Sequence, residues 1–198
     1  MRKRLFLPEG WCDDKKRCDK AGVPQDCQDY KKHAQLALEL IDDADDQGLE
    51  YAWIGMDAEF GAPWFLDTLD RRGKLFLIDV PSNAHVFKTN PQLSYCPKKL
   101  SKSKLRLSRK SLTVKDLRLL HGNRRWRRVE IRDSSKGLMT VEFLHKKIWF
   151  WDKKNGGKPA HWHLIIRRTP KENGSDWVYK YSLSNAPLQT STRRLAYQ

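Results

Sequence analysis

The sequence is short of acids, of cysteine and of long apolar runs. Its 198 residues hold 24 Asp and Glu against 39 Lys and Arg, a net charge of +15. A surplus of this size favours a polyanion as partner, because each phosphate contact releases counterions. Nucleic acid comes first, an anionic membrane surface second, and a basic protein that binds neither is the plain alternative. No apolar run approaches the roughly 20 residues that span a bilayer. The start, Met1-Arg-Lys-Arg-Leu-Phe-Leu-Pro8, has an apolar stretch too short for a signal peptide. A cytoplasmic location and no membrane partner are therefore expected. The four cysteines, Cys12, Cys18, Cys27 and Cys96, match no zinc spacing and are too few for a disulfide framework, so free thiols are expected. No internal repeat is present.

What is there suffices for a folded domain: hydrophobic residues make up 39% of the chain, with eight tryptophans among them. Residues 4–7 read as a short strand closed by Pro8, followed by loop or a short helical turn. A helix is expected from Asp29 to Gln47, capped by Asp26 or Asp29, with Leu36, Ala37, Leu40, Ile41 and Ala44 on one face. Gly48 stops it. The acidic run Asp42, Asp43, Asp45 and Asp46 reads as a solvated face. Tyr51 to Met56 is an unbroken apolar run, the mark of a strand covered on both faces. A helix from Pro63 to Arg71 and a strand from Lys74 to Val80 follow. Helix, strand, helix, strand implies an α/β fold with a mostly parallel sheet.

The pattern changes near His85. Between Val86 and Arg128 there are 14 Lys or Arg and one acid, Asp116, and an extended segment is expected there, with a short helix over 112–120. Strands are then expected over 126–132, 138–144, 147–151, 162–167 and 177–183, separated by Gly-containing turns. Trp126, Trp149, Trp151, Trp162 and Trp177 read as the core of this β-rich part. The last residues enter a helix near Thr192.

Chemistry is carried by Asp57, at the end of the apolar run and four residues before Gly61. In an α/β sheet, functional groups gather beyond the carboxyl ends of the strands. An aspartate there suits a divalent cation, and equally suits the N-cap of the next helical turn. Two basic groups suit a phosphate track. The first is Lys98, Lys99, Lys102, Lys104, Arg106, Arg109 and Lys110. The second is Arg124, Arg125, Arg127 and Arg128, where Trp126 offers a stacking face. The alternative for these is a strand edge protected by charge. His161 and His163 flank Trp162, and a surface-facing pair around a buried indole is expected rather than a metal site.

The segment Asp57-Ala-Glu-Phe-Gly61 resembles the aspartate, two variable residues, aromatic, glycine pattern of the DDE transposases of bacterial insertion sequences. Arg4-Leu-Phe-Leu-Pro-Glu9 with Trp11, Ala21-Gly-Val-Pro24, the helix with Lys32, Leu36, Ala37 and Leu38, Val80-Pro81, the Trp126 strand, Lys136-Gly137 and Ser184-Asn185-Ala186 extend the likeness in order along the chain. The resemblance implies a partial ribonuclease-H-like core over 1–87, a basic antiparallel β-rich insertion over 88–180, and a return to the core over 181–198. It implies Asp57 as the second of three catalytic, metal-binding carboxylates. It also implies Mg²⁺ or Mn²⁺ as cofactor, transposon ends and target DNA as partners, and compatibility with a homodimer in the full-length protein. The first Asp and the third Glu find no counterpart, and Asp13, Asp14, Glu59, Glu130 and Glu142 read as solvated or structural. The expectation is therefore an incomplete transposase that does not nick DNA by itself. The alternative is a non-catalytic DNA-binding protein derived from one.

Overall fold

A computed structural model describes residues 6–96, 104–107, 110–134, 137–171 and 176–196. The chain forms two compact units, Met1–Ala52 and Trp53–Gln198. Among the described residues, no helix is long and apolar enough to cross a membrane.

The first unit is helical. Residues 6–8 have no regular structure, so the strand expected over 4–7 does not include Phe6 or Leu7, and Arg4 and Leu5 lie outside the described residues. Helices α1 (Glu9–Cys12) and α2 (Lys15–Lys20) occupy the stretch expected as loop or turn. Local bonding explains α2, since Asp14 Oδ1 accepts the Arg17 N–H at 3.0 Å. Leu7, Cys12, Cys18 and Val23 are buried together against Trp11 and Cys27. Cys12, Cys18 and Cys27 are free thiols. Helix α3 (His33–Asp46) starts four residues later than expected. Gln35, not Asp26 or Asp29, closes its first turn by accepting the Lys32 N–H at 2.9 Å. Gly48 ends α3 at φ 66°, a left-handed conformation that favours glycine.

The second unit is built on one six-stranded sheet, in the order β1-β2-β10-β9-β8-β7. Its strands are β1 (Ile54–Met56), β2 (Phe76–Val80), β7 (Arg127–Ser134), β8 (Gly137–Phe150), β9 (Ala160–Pro170) and β10 (Trp177–Ser184). Helix α4 (Pro63–Arg71) joins β1 to β2 and buries Phe65, Leu66 and Leu69. Only β1 and β2 are parallel. Every other pairing in this sheet is antiparallel. The fold is α/β as expected, but the sheet is mixed, because β10 returns to lie beside β2. The two strands expected over 138–144 and 147–151 are the single strand β8. The basic stretch before it contains two small sheets, β3 (His85–Val86) with β6 (Leu112–Thr113), and β4 (Leu93–Cys96) with β5 (Lys104–Leu107). Helix α5 (Val114–Leu119) follows β6.

The sheet is buried on both faces, which is why Trp162 to Ile166 are all buried without alternation. One face carries Phe76, Ile78, Leu183, Leu164, Ile166 and Leu144. Trp162 joins it, edge-on to Phe76 with centroids 5.2 Å apart and stacked on Phe150 at 4.3 Å. On the opposite face Val141, Phe143 and Ile165 pack with Ala186 and with Leu195 of α6 (Thr192–Ala196), flanked by Trp53, Leu77 and Val129. Of the five tryptophans expected in the core, Trp162 alone is buried; Trp126, Trp149, Trp151 and Trp177 are half-exposed.

Asn185 stitches the end of β10 to the start of β2. Its Nδ2 donates to Asp70 Oδ1 and to the Lys74 carbonyl, each at 2.9 Å, and its Oδ1 accepts the Phe76 N–H at 3.0 Å. Removing the side chain leaves half-buried backbone groups unpaired. Asn185→Ala is expected to lower unfolding free energy by about 2 kcal/mol in urea denaturation.

Candidate functional site

Asp57 directly follows β1, one step beyond the paired residues Met56 and Ile78. The short 3-10 turn Ala58–Phe60 comes next, and Asp57 Oδ1 accepts the Glu59 N–H at 3.1 Å. The carboxylate thus caps the turn, and it is also exposed at the carboxyl end of the strand. The two alternatives open in the sequence coexist in the structure. Gly61 ends the turn at φ −74°, so it is not there for left-handed backbone. It is there for space: a Cβ at this position would lie 2.8 Å from the Asp79 carbonyl oxygen and 3.1 Å from Val80 Cα. The turn bearing Asp57 is thereby laid directly on β2.

Asp57 opens on a shallow cleft of about 490 Å³, lined also by Glu59, Asp79, Ser82, Tyr179 and Lys180. Asp79 reads in the sequence as an interior residue of the strand expected over 74–80. An acid inside Leu77-Ile-Asp-Val80 needs a partner, and that need was the available signal. Arg167 of β9 reaches across β10 and places Nη2 2.5 Å from Asp79 Oδ1. Ser182 donates to the same oxygen and accepts from Arg167 at 3.2 Å. Asp79 is thus neutralised by protein, whereas Asp57 is held only by the N–H of its own turn among the bonds described. An exposed oxygen donor of this kind fits a hard divalent cation. Among the described residues no group of three His, Cys, Asp or Glu could hold a metal ion.

Lys98, Lys99, Lys102 and Arg109 lie outside the described residues. Lys104 and Arg106 belong to β5. Lys110 is exposed and borders a cleft of about 350 Å³ with Lys88 and Thr89. Arg124 and Arg125 end a 3-10 turn, and Arg127 and Arg128 begin β7, the outer strand of the sheet; all four are exposed. Their neighbour Trp126 is not free to stack on both sides, because the Arg168 guanidinium lies 4.2 Å from its ring centroid. Arg168 is also 4.2 Å from the Trp177 ring and pairs with Glu142 at 2.6 Å, which gives Glu142 a structural role. His163 is fully buried, and so does not face solvent as expected.

The double role of Asp57 separates its substitutions. Asp57→Ala removes the cap and is expected to cost about 1 kcal/mol in chemical denaturation. Asp57→Asn keeps an acceptor oxygen and is expected to stay within about 0.5 kcal/mol of the parent, while losing the negative charge.

The model of the DDE superfamily endonucleases matches residues 1–138. The match is more than half of the chain, and it contains Asp57, Asp79 and the cluster from Arg124 to Arg128. No curated protein matches the chain. The chain therefore belongs to the DDE superfamily endonucleases.

Proposed function

We propose that this chain is part of the DNA cleavage and strand-transfer machinery of insertion-sequence transposition, with Asp57 as one metal-binding catalytic carboxylate. The observation that carries this reading is the exposed carboxylate at the carboxyl end of β1, inside the matched family region. Asp57 would hold Mg²⁺ or Mn²⁺, which polarises the scissile phosphoryl group when bound. The residues of the chain do the remaining work: the Glu59 N–H fixes the carboxylate, and Gly61 sets its turn against β2. Lys104, Arg106, Lys110, Arg124, Arg125, Arg127 and Arg128, with Lys98, Lys99, Lys102 and Arg109, supply cations for the phosphate backbone. On this reading residues 1–87 and 181–198 belong to the nuclease core and 88–180 to the insertion.

Two-metal chemistry needs further carboxylates around the ions, and none groups with Asp57 in threes among the described residues. Cleavage by this chain alone is therefore not expected. The capping bond at Asp57 favours a second reading, a DNA-binding protein without catalysis in which Asp57 is structural.

Both readings require DNA binding that weakens steeply with salt, by a slope of about 0.9 per phosphate contact on logarithmic axes. Fluorescence anisotropy with a labelled duplex is expected to give that slope, reduced in Arg124→Gln and Arg125→Gln. A salt-insensitive affinity would remove both. Mn²⁺ binding followed by electron paramagnetic resonance separates them: loss of a site in Asp57→Asn supports the first reading, and no change supports the second.

A further inference from the structure

His145 of β8 and His163 of β9 are diagonal neighbours, since Lys147 pairs with His163 and Ile165 with His145. His145 Nε2 stands 2.7 Å from His163 Nδ1. His145 Nδ1 is 2.8 Å from Thr192 Oγ1 on α6. His163 Nε2 is 3.2 Å from the carbonyl oxygens of both Ala186 and Pro187. Carbonyl oxygens only accept, so His163 carries its proton on Nε2, and Nδ1 of the neutral ring accepts. His145 must then donate through Nε2, which leaves its Nδ1 to accept from the Thr192 hydroxyl. Every ring nitrogen is used. One added proton can be absorbed at His145 Nδ1, with the Thr192 hydroxyl turned to accept. Two cannot, because N–H then faces N–H.

The surroundings oppose that charge. Burial, then the neighbouring His163, Lys147, Arg127 and Lys146, push His145 down to about 4. Burial also lowers His163, with Lys147 and His161 adding to it and the two carbonyls opposing. Arg193 and Arg194 follow Thr192 on α6. The relay therefore ties α6 to the sheet while both rings are neutral.

Thr192 also lines a cleft of about 450 Å³. Arg193 stands with it on one wall, and Arg127, Arg128, Val129 and Glu130 of β7 form the other. Three guanidinium groups against one carboxylate suit an anion, and planar guanidinium forks suit phosphate oxygens.

We infer that this cleft seats a phosphate of the DNA backbone, and that the His145–His163–Thr192 relay is the latch that holds its second wall. The cleft rests on the DNA-binding reading above; the latch does not. His145 and His163 are positioning residues here, and Arg193 is the added contact.

Two measurements on the whole chain test this. Long-range proton–nitrogen NMR is expected to find both rings neutral at pH 7, each protonated on Nε2. The unfolded chain titrates near 6.5, and the native rings lower. Stability is therefore full above about pH 6.5 and falls as pH drops, by up to about tenfold in the folded-to-unfolded ratio per pH unit for each ring. The Leu195 amide, bonded to the Ser191 carbonyl, should lose exchange protection before the amides of β9. Ordinary titration near 6.5 with Leu195 unaffected would overturn the latch. In the second measurement, Arg193→Gln should lower the salt slope of duplex binding by about 0.9. An unchanged slope, with Arg124→Gln still weakening binding, overturns the cleft and leaves the DNA reading standing. Wild-type chain whose binding ignores salt loses both.

Discussion

Everything in the second unit hangs on the pairing of β2 with β10. Val80, Asp79, Ile78 and Leu77 lie opposite Tyr181, Ser182, Leu183 and Ser184. This seam joins the parallel β1–β2 pair to the antiparallel run β10, β9, β8 and β7. It makes one continuous sheet of what would otherwise be two small ones. Its chemistry is distributed along it: Ile78 and Leu183 supply apolar contact on one face, Ser182 and Asp79 receive Arg167 on the other, and Asn185 bonds the seam's end to β2. A two-stranded parallel pair is not stable alone, and widening the sheet supplies the neighbour it needs.

That seam also defines the environment of Asp57. The aspartate stands at the carboxyl edge of the parallel pair, and the turn that follows is pressed on β2 through Gly61. Two acids consequently sit at adjacent strand ends with opposite fates. Asp79 points toward the antiparallel extension and is neutralised by Arg167. Asp57, on the same cleft, stays exposed. Without the extension, Asp79 would lack the guanidinium of Arg167 and the hydroxyl of Ser182.

The sequence made the Asp57 region legible because the signals there are local: an apolar run, an acid, a glycine and a proline-initiated helix. The same local logic located α3, α4 and β2 to within a few residues. It missed what depends on distant partners. His145-Lys146 reads as a polar break between two strands, yet β8 runs straight through it. Pairing with β9 along its length holds the strand, and His145 is occupied by His163. The strands of residues 29–80, β1 and β2, are parallel as expected, but nothing near Val80 announces its antiparallel partner at Tyr181. The tryptophans misled as well. Cation–π contact with Arg168 explains why Trp126 and Trp177 are ordered without being buried.

The sequence distance across that seam has a kinetic side. Val80 must find Tyr181, about a hundred residues further on, and the entropy of closing such a loop is met before any contact across it forms. The strands β7 to β10 are each paired with the next, so they are local in sequence and form faster. On the ribosome β2 emerges long before β10 exists, and its open edge waits through the synthesis of the whole basic segment. The charge density of that segment keeps the nascent chain repelled from its own kind during the wait, a solubility role for its lysines and arginines.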